Sequence, residues 1–167
     1  MTTSFLRGGT AVITGAGSGF GLELARLAAA SGMRLVLADI QADALERAAA
    51  ELRAQGAEVW AQQVDVSRAQ ELEHLAEGTL TRFGAPHLVF NNAGVAAGPT
   101  IGTAKKVWDW VMKVNVDGVI NGINVIDWHL NVQEPNGVEW SEFGLAKAIG
   151  RDLHEKSALR VALCRFE

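Results

Sequence analysis

Residues 14–21, Thr14-Gly15-Ala16-Gly17-Ser18-Gly19-Phe20-Gly21, place closely spaced glycines between two apolar segments. The segment before them, Thr10-Ala11-Val12-Ile13, reads as a strand, and the residues from Leu22 read as a helix. A strand that turns sharply into a helix leaves backbone N–H groups free at the helix start, where the helix dipole is also positive. A pyrophosphate can sit there. Glycine meets two needs in such a turn: some positions want φ > 0, and others must let a phosphate or a neighbouring strand come closer than a Cβ allows. Two carboxylates close later apolar runs. Asp39 stands 18 residues after Gly21, where a carboxylate can accept hydrogen bonds from a pair of ribose hydroxyls; an Asp at that place can equally cap the helix that follows. Asp65, with Val66 beside it, can help start the helix near Ser67. Asn91-Asn92-Ala93-Gly94 closes a fourth apolar run and by itself reads as an Asn/Gly turn.

These groups need a frame that brings segment ends together, and the chain alternates accordingly. A helix is expected over 22–31, stopped by Gly32, and a strand over 33–38 interrupted only by Arg34. A second helix follows over 42–55 and stops at Gly56, and 57–64 reads as a third strand. Ser67 and Gln70 form a capping-box pattern for a helix running toward Phe83, and Leu88–Phe90 is a fourth strand. From Thr103 to about Leu130 a long helix carries Val107, Val111, Val114, Val119, Ile123 and Ile126 on a broad apolar face. Strand and helix in alternation imply a parallel sheet with right-handed crossovers, an α/β doubly wound architecture.

Composition narrows the function classes. At 167 residues, with 49% hydrophobic and 20% charged residues, the chain reads as one globular domain over 1–167. A net charge of −4 gives no basic field for nucleic acid or an anionic membrane, and no apolar stretch reaches spanning length. A single cysteine, Cys164, and an amino terminus without a signal-like apolar core point to a reducing, cytoplasmic setting. His74, His87, His129 and His154 are scattered without ligand spacing, so no metal is expected.

The run T-G-x-x-x-G-x-G after a strand, Asp39, Asp65-Val66 and N-N-A-G together resemble the short-chain dehydrogenase/reductase family. The resemblance implies a Rossmann-like fold. It also implies a dinucleotide held by Gly15, Ser18, Gly19, Phe20 and Gly21, by Asp39 and Ile40, by Asp65 and Val66, and by Asn92, Ala93 and Gly94. With Asp39 present, no arginine after it and Ser18 rather than a basic residue before Gly19, the cofactor expected is NAD rather than NADP. Asn115, in Val114-Asn115-Val116, resembles the family's helix asparagine that holds a water beside a catalytic lysine; a core polar residue or helix kink is the other reading. The family also pairs the helix over 103–130 across a two-fold axis, so a homo-oligomer is implied.

Beyond residue 130 the pattern departs from the family. There a serine-bearing fifth strand precedes Y-x-x-x-K; here Phe143-Gly144-Leu145-Ala146-Lys147 keeps the spacing with phenylalanine in the tyrosine's place, and the chain contains no tyrosine. Ser141 fits better as the N-cap of the helix carrying Lys147, which still has the place of the ribose-holding lysine. Leu159–Cys164 resembles the family's sixth strand, and the sheet is expected to be incomplete at the C-terminal end. The implied activity is hydride exchange between NAD and a small-molecule alcohol or ketone, impaired because phenylalanine has no proton to move. A non-catalytic nucleotide-binding or scaffold protein, and a truncated or engineered dehydrogenase, are the alternatives.

Overall fold

The apolar runs become strands of one parallel sheet in a computed structural model that describes residues 6–98, 101–131 and 160–162. In chain order the elements are β1 (Thr10–Thr14), α1 (Gly19–Ala30), β2 (Arg34–Asp39), α2 (Ala42–Ala54), β3 (Val59–Gln63), α3 (Ala69–Phe83) and β4 (Leu88–Phe90). Helix α4 (Lys105–Met112), a π-helical turn (Lys113–Asp117), α5 (Gly118–Asn131) and β5 (Arg160–Ala162) follow. The sheet order is β3-β2-β1-β4-β5, all neighbours parallel, so the chain reverses direction across the sheet between β1 and β4.

Strand periodicity divides the core. Ala11, Ile13, Leu35 and Leu37 point to one face, where they pack with Ala25 and Ala28 of α1 and Leu45 and Leu52 of α2. Val12, Val36, Ala38 and Val89 point to the other, against Leu72 and Leu75 of α3 and Val125 of α5. With both faces covered, β1 and β2 carry continuous apolar runs rather than an alternating pattern. Arg34 is tolerated at the start of β2 because its guanidinium lies 5.3 Å from the centre of the Phe83 ring. On the first face α1 is tied to α2 by Arg26, whose Nε and Nη2 donate to Glu51 Oε1 at 2.7 Å and Oε2 at 2.8 Å. That pairing holds the Glu51 carboxyl below its usual range and the Arg26 guanidinium above its own.

The structure adjusts several expectations. Helix α1 starts at Gly19 rather than Leu22, because Ser18 stays extended and the last glycines of the turn already lie in the first helical turn. The Ser67/Gln70 capping box does not form: α3 begins at Ala69, Ser67 donates its hydroxyl to Asp65 Oδ1 at 2.7 Å, and Glu71 Oε2 accepts from the Asp65 backbone N–H at 2.6 Å. Asp65 is the better acceptor, so it organises the turn. The long helix is broken in register at the π turn, and α4 has no buried residue. The run resembling a sixth strand lies directly beside β4, with Leu88 opposite Arg160 and Phe90 opposite Ala162, in the place next to the switch point. Among the described residues no helix is long and apolar enough to cross a membrane. Phe143, Lys147 and Ser141 lie outside the described residues.

Candidate nucleotide site

The carboxyl ends of β1 to β4 open onto one edge of the sheet, and between them lies a cleft of about 290 Å³ lined among others by Gly15, Gly19, Asp39, Val66, Ala93 and Trp110. In a doubly wound sheet this edge, at the reversal of strand order, is where a ligand finds both a crevice and a helix N-terminus. Each wall follows from a local feature of the sequence.

The glycine turn forms the first wall. Gly21 must lack a side chain, since a Cβ there would overlap the Gly15 carbonyl oxygen. Gly19 has φ of +55°, and a Cβ built on it would meet nothing within 4 Å, so its open side faces free space at the mouth of α1. Helix α1 starts without a capping side chain and without an acid in its first turn. Its N-terminal N–H groups and positive dipole end are therefore left for an anion from outside the chain.

Asp39 stands beside this turn and secures it. Its Oδ2 accepts from the Gly17 N–H at 2.8 Å, and its Oδ1 accepts from the Gln41 N–H at 2.9 Å. The carboxylate thus fixes the glycine turn and the entry to α2 at once, although α2 has Gln41 rather than Asp39 at its N-cap. Each carboxylate oxygen retains an acceptor site for a further donor. Ile40, 57% exposed, and Phe20, 69% exposed, also line the cleft, as large apolar groups facing outward. At the end of β3, Val64 donates its N–H to the Asp39 carbonyl at 3.0 Å, which sets Asp65 and Val66 next to the β2 terminus. Asp65 Oδ1 is already engaged by the Ser67 N–H and hydroxyl, so it organises the turn before α3, whose N-cap, Arg68, makes no side-chain cap bond.

The third wall is the N-N-A-G segment, held by Thr14, the residue that opens the T-G-x-x-x-G-x-G run. Thr14 Oγ1 accepts from the N–H groups of Asn92 at 3.0 Å and Ala93 at 3.1 Å and donates to the Phe90 carbonyl at 3.3 Å. Asn92 Nδ2 returns a bond to the Thr14 carbonyl at 3.0 Å. This clasp joins two segments 78 positions apart, and its local signal was the threonine that opens the glycine run at the end of an apolar strand. Asn91 is buried behind it at 6% exposure, and a Cβ on Gly122 of α5 would overlap its amide.

Asn115 lies on the π turn and is exposed rather than buried in the apolar helix face. Its Oδ1 accepts from the Val95 N–H at 2.8 Å and its Nδ2 donates to the Val95 carbonyl at 2.9 Å. Both ends of the amide are engaged, which pins the residue after Gly94 to the helix. The structure therefore brings together the glycine turn, Asp39, Ile40, Asp65, Val66, Asn92, Ala93 and Gly94 around one cleft, with Asn115 at its border. Trp110 and Val114 complete it from the helix side and carried no sequence motif that marked them as cleft residues.

Such a cleft has the parts a dinucleotide needs: an uncapped helix start, an open glycine face and a carboxylate at the second strand end. Residues 9–137 match the short chain dehydrogenase family, and the chain belongs to it. A probable oxidoreductase, EphD, of Mycobacterium tuberculosis is 40% identical over 111 residues, which span 66% of this chain and 19% of that protein. A C alpha-dehydrogenase of Sphingobium is 37% identical over 115 residues, 68% of this chain and 38% of that one. Among solved structures, a Burkholderia phymatum short chain dehydrogenase/reductase in complex with NAD superposes with a TM-score of 0.74 at 46% identity, covering 77% of this chain and 47% of that one. The chain spans less than half the length of each of these three relatives.

Proposed function

We propose that this chain is a single NAD(H)-binding domain of an oxidoreductase acting on alcohol or carbonyl groups, and that its own turnover is weak. The observation that carries the cofactor reading is Asp39, fixed by the Gly17 and Gln41 N–H groups at the edge of the cleft where adenosine ribose hydroxyls would meet it and a 2′-phosphate would be repelled. The Burkholderia relative bound to NAD, which is 46% identical to this chain, supports the same reading. The N-terminal N–H groups of α1 and the open face of Gly19 hold the pyrophosphate, and the backbone of Asn92-Ala93-Gly94 borders the second ribose. When bound, the nicotinamide accepts or donates the hydride.

The protein must move the proton that accompanies it, within about 3 Å of the substrate oxygen. Phe143 stands where a phenol would do this, four residues before Lys147, and the chain has no tyrosine to replace it. General acid–base catalysis contributes about 10²–10⁴ in rate, so this exchange is the source of the weak turnover. Asn115 and Lys147 are assigned positioning roles: Asn115 fixes the helix beside the cleft through Val95, and Lys147 holds the nicotinamide ribose.

An assembly through the helix over 103–130 belongs to the same proposal. Trp108, Met112, Val116 and Ile120 recur every four residues and are 42%, 49%, 38% and 48% exposed, an apolar stripe that suits a second copy. The function is tested by turnover on a panel of secondary alcohols and ketones. Wild type is expected to show little or none, and Phe143→Tyr a partial gain that Lys147→Ala removes. Robust wild-type turnover indifferent to Lys147→Ala overturns the assignment of the proton path.

A further inference from the structure

Trp110 packs into neither core cluster, and among the described residues no ring or cation stacks on its indole, yet it lines the cleft. The helix carries two stripes with the same spacing of four. One is the outward stripe Trp108, Met112, Val116 and Ile120. The other is Trp110, Val114 and Gly118, and its partners show where it points. A Cβ on Gly118 would come within 2.7 Å of Val66 Cγ2, so the helix lies directly on the end of β3 there. Val114 packs against the cluster containing Val64 and Val66. Trp110 is the next position along this stripe, one turn further out, 46% exposed and at the wall of the cleft.

The β3 end of the cleft is also where Ile40, Asp65 and Val66 lie, beside Asp39. Its apolar lining there is Ile40, Val66, Val114 and the indole, beside the carboxylates of Asp39 and Asp65. A heteroaromatic base has two π-faces that seek such a surface. Resting on the NAD(H) reading above, we propose that Trp110 is the stacking wall for the adenine base, a residue that makes this site select purine dinucleotides over the nicotinamide mononucleotide half. An aromatic side chain half exposed in the free protein is held ready for that contact, and Val114 beneath it fixes the direction of its helix face.

The test is calorimetric binding of NADH, ADP-ribose and nicotinamide mononucleotide to wild type, Trp110→Ala, Trp110→Phe and Trp108→Ala, with tryptophan emission and sedimentation recorded in parallel. Base stacking on an aromatic side chain predicts that Trp110→Ala weakens ADP-ribose and NADH by roughly 5- to 100-fold. The mononucleotide should be unaffected, Trp110→Phe should retain most of the affinity, and Trp108→Ala should change neither ligand. ADP-ribose should quench wild-type tryptophan emission, and Trp110→Ala should lose most of that quenching. ADP-ribose affinity of Trp110→Ala within about two-fold of wild type overturns the proposal, as does a change in sedimentation with no change in affinity. Failure of wild type to bind ADP-ribose or NADH at all overturns the cofactor reading together with it, so the two failures are distinct.

Discussion

Replacement of Asp39 separates its two tasks, because the same carboxylate bonds the chain's own backbone and faces the cleft. Two like charges about 4 Å apart near a protein surface repel by about 4 kcal/mol, and salt at a partly exposed edge reduces this to about 1–3 kcal/mol. Wild type should accordingly bind NADH roughly 10- to 100-fold more tightly than NADPH. In Asp39→Ala the repulsion and the acceptors for the ribose hydroxyls vanish together, so NADH weakens by a similar factor while NADPH changes little. The gap closes. Removing the carboxylate also leaves the N–H groups of half-buried Gly17 and exposed Gln41 without their partner, now 2.8 and 2.9 Å away. Water can replace it at Gln41, so the net cost is about 1–2 kcal/mol, or a fall in Tm of about 2–8 °C for a domain of this size. Asp39→Asn keeps one carbonyl acceptor without the charge and should relax the cofactor preference with a smaller loss of stability. The assay is fluorescence titration with both dinucleotides alongside thermal unfolding. Equal affinities in wild type, or a ratio that survives Asp39→Asn, would refute the reasoning.

Three other outcomes follow from separate features. Gly19→Val should abolish NADH binding while the domain stays folded by circular dichroism, because its side chain would enter open space at the mouth of α1 and strain a φ of +55°. Glu51, held low by Arg26, stabilises the fold above the usual carboxylate range, and this contribution is lost as pH falls through its lowered value; Glu51→Gln should flatten that part of a Tm-against-pH curve and make it less salt-sensitive. Sedimentation at micromolar concentration should show an assembly for wild type that Ile120→Glu shifts toward monomer, whereas a monomeric wild type would remove the case for pairing through the outward stripe.

The parts of the fold that were legible in the sequence are those set by local chemistry. A continuous apolar run followed by glycines specified β1 and the turn, since a strand buried on both faces must be apolar throughout and a Cβ on Gly21 has no room beside the Gly15 carbonyl. Glycine stops at Gly32 and Gly56 fell where positive φ is observed. What misled was competition between nearby polar groups. Ser67 and Gln70 have the capping spacing, but the Asp65 carboxylate two residues earlier takes the serine hydroxyl, and Glu71 takes the Asp65 N–H. The place of β5 could not be read at all, because pairing with β4 depends on which strand reaches that edge and no local pattern records it. Trp110 was hidden for a related reason: its four-residue offset from Val114 can be read in the sequence, but the packing of Val114 against the Val66 cluster beside the cleft is a tertiary fact.

The motif residues make bonds to the chain itself that leave their cleft-facing atoms available, although Asp39 is not the N-cap of α2. Asp39 closes the glycine turn, Thr14 and Asn92 clasp the two central strands at their ends, and Asn115 engages the Val95 backbone with both atoms of its amide. Each therefore fixes a neighbouring segment before any ligand arrives, and a site preorganised in this way loses less conformational entropy on binding. The consequence is that a loss of binding in a variant of these residues cannot be attributed to a lost ligand contact unless stability is measured with it. Trp110 is the exception, since it packs into neither core cluster and lines the cleft. Substitution at Trp110 should lower affinity with Tm nearly unchanged, whereas substitution at Asp39, Thr14 or Asn115, or at Gly19 with its φ of +55°, should lower both. That division is what a cleft built from strand ends, rather than from a single loop, imposes on its own mutants.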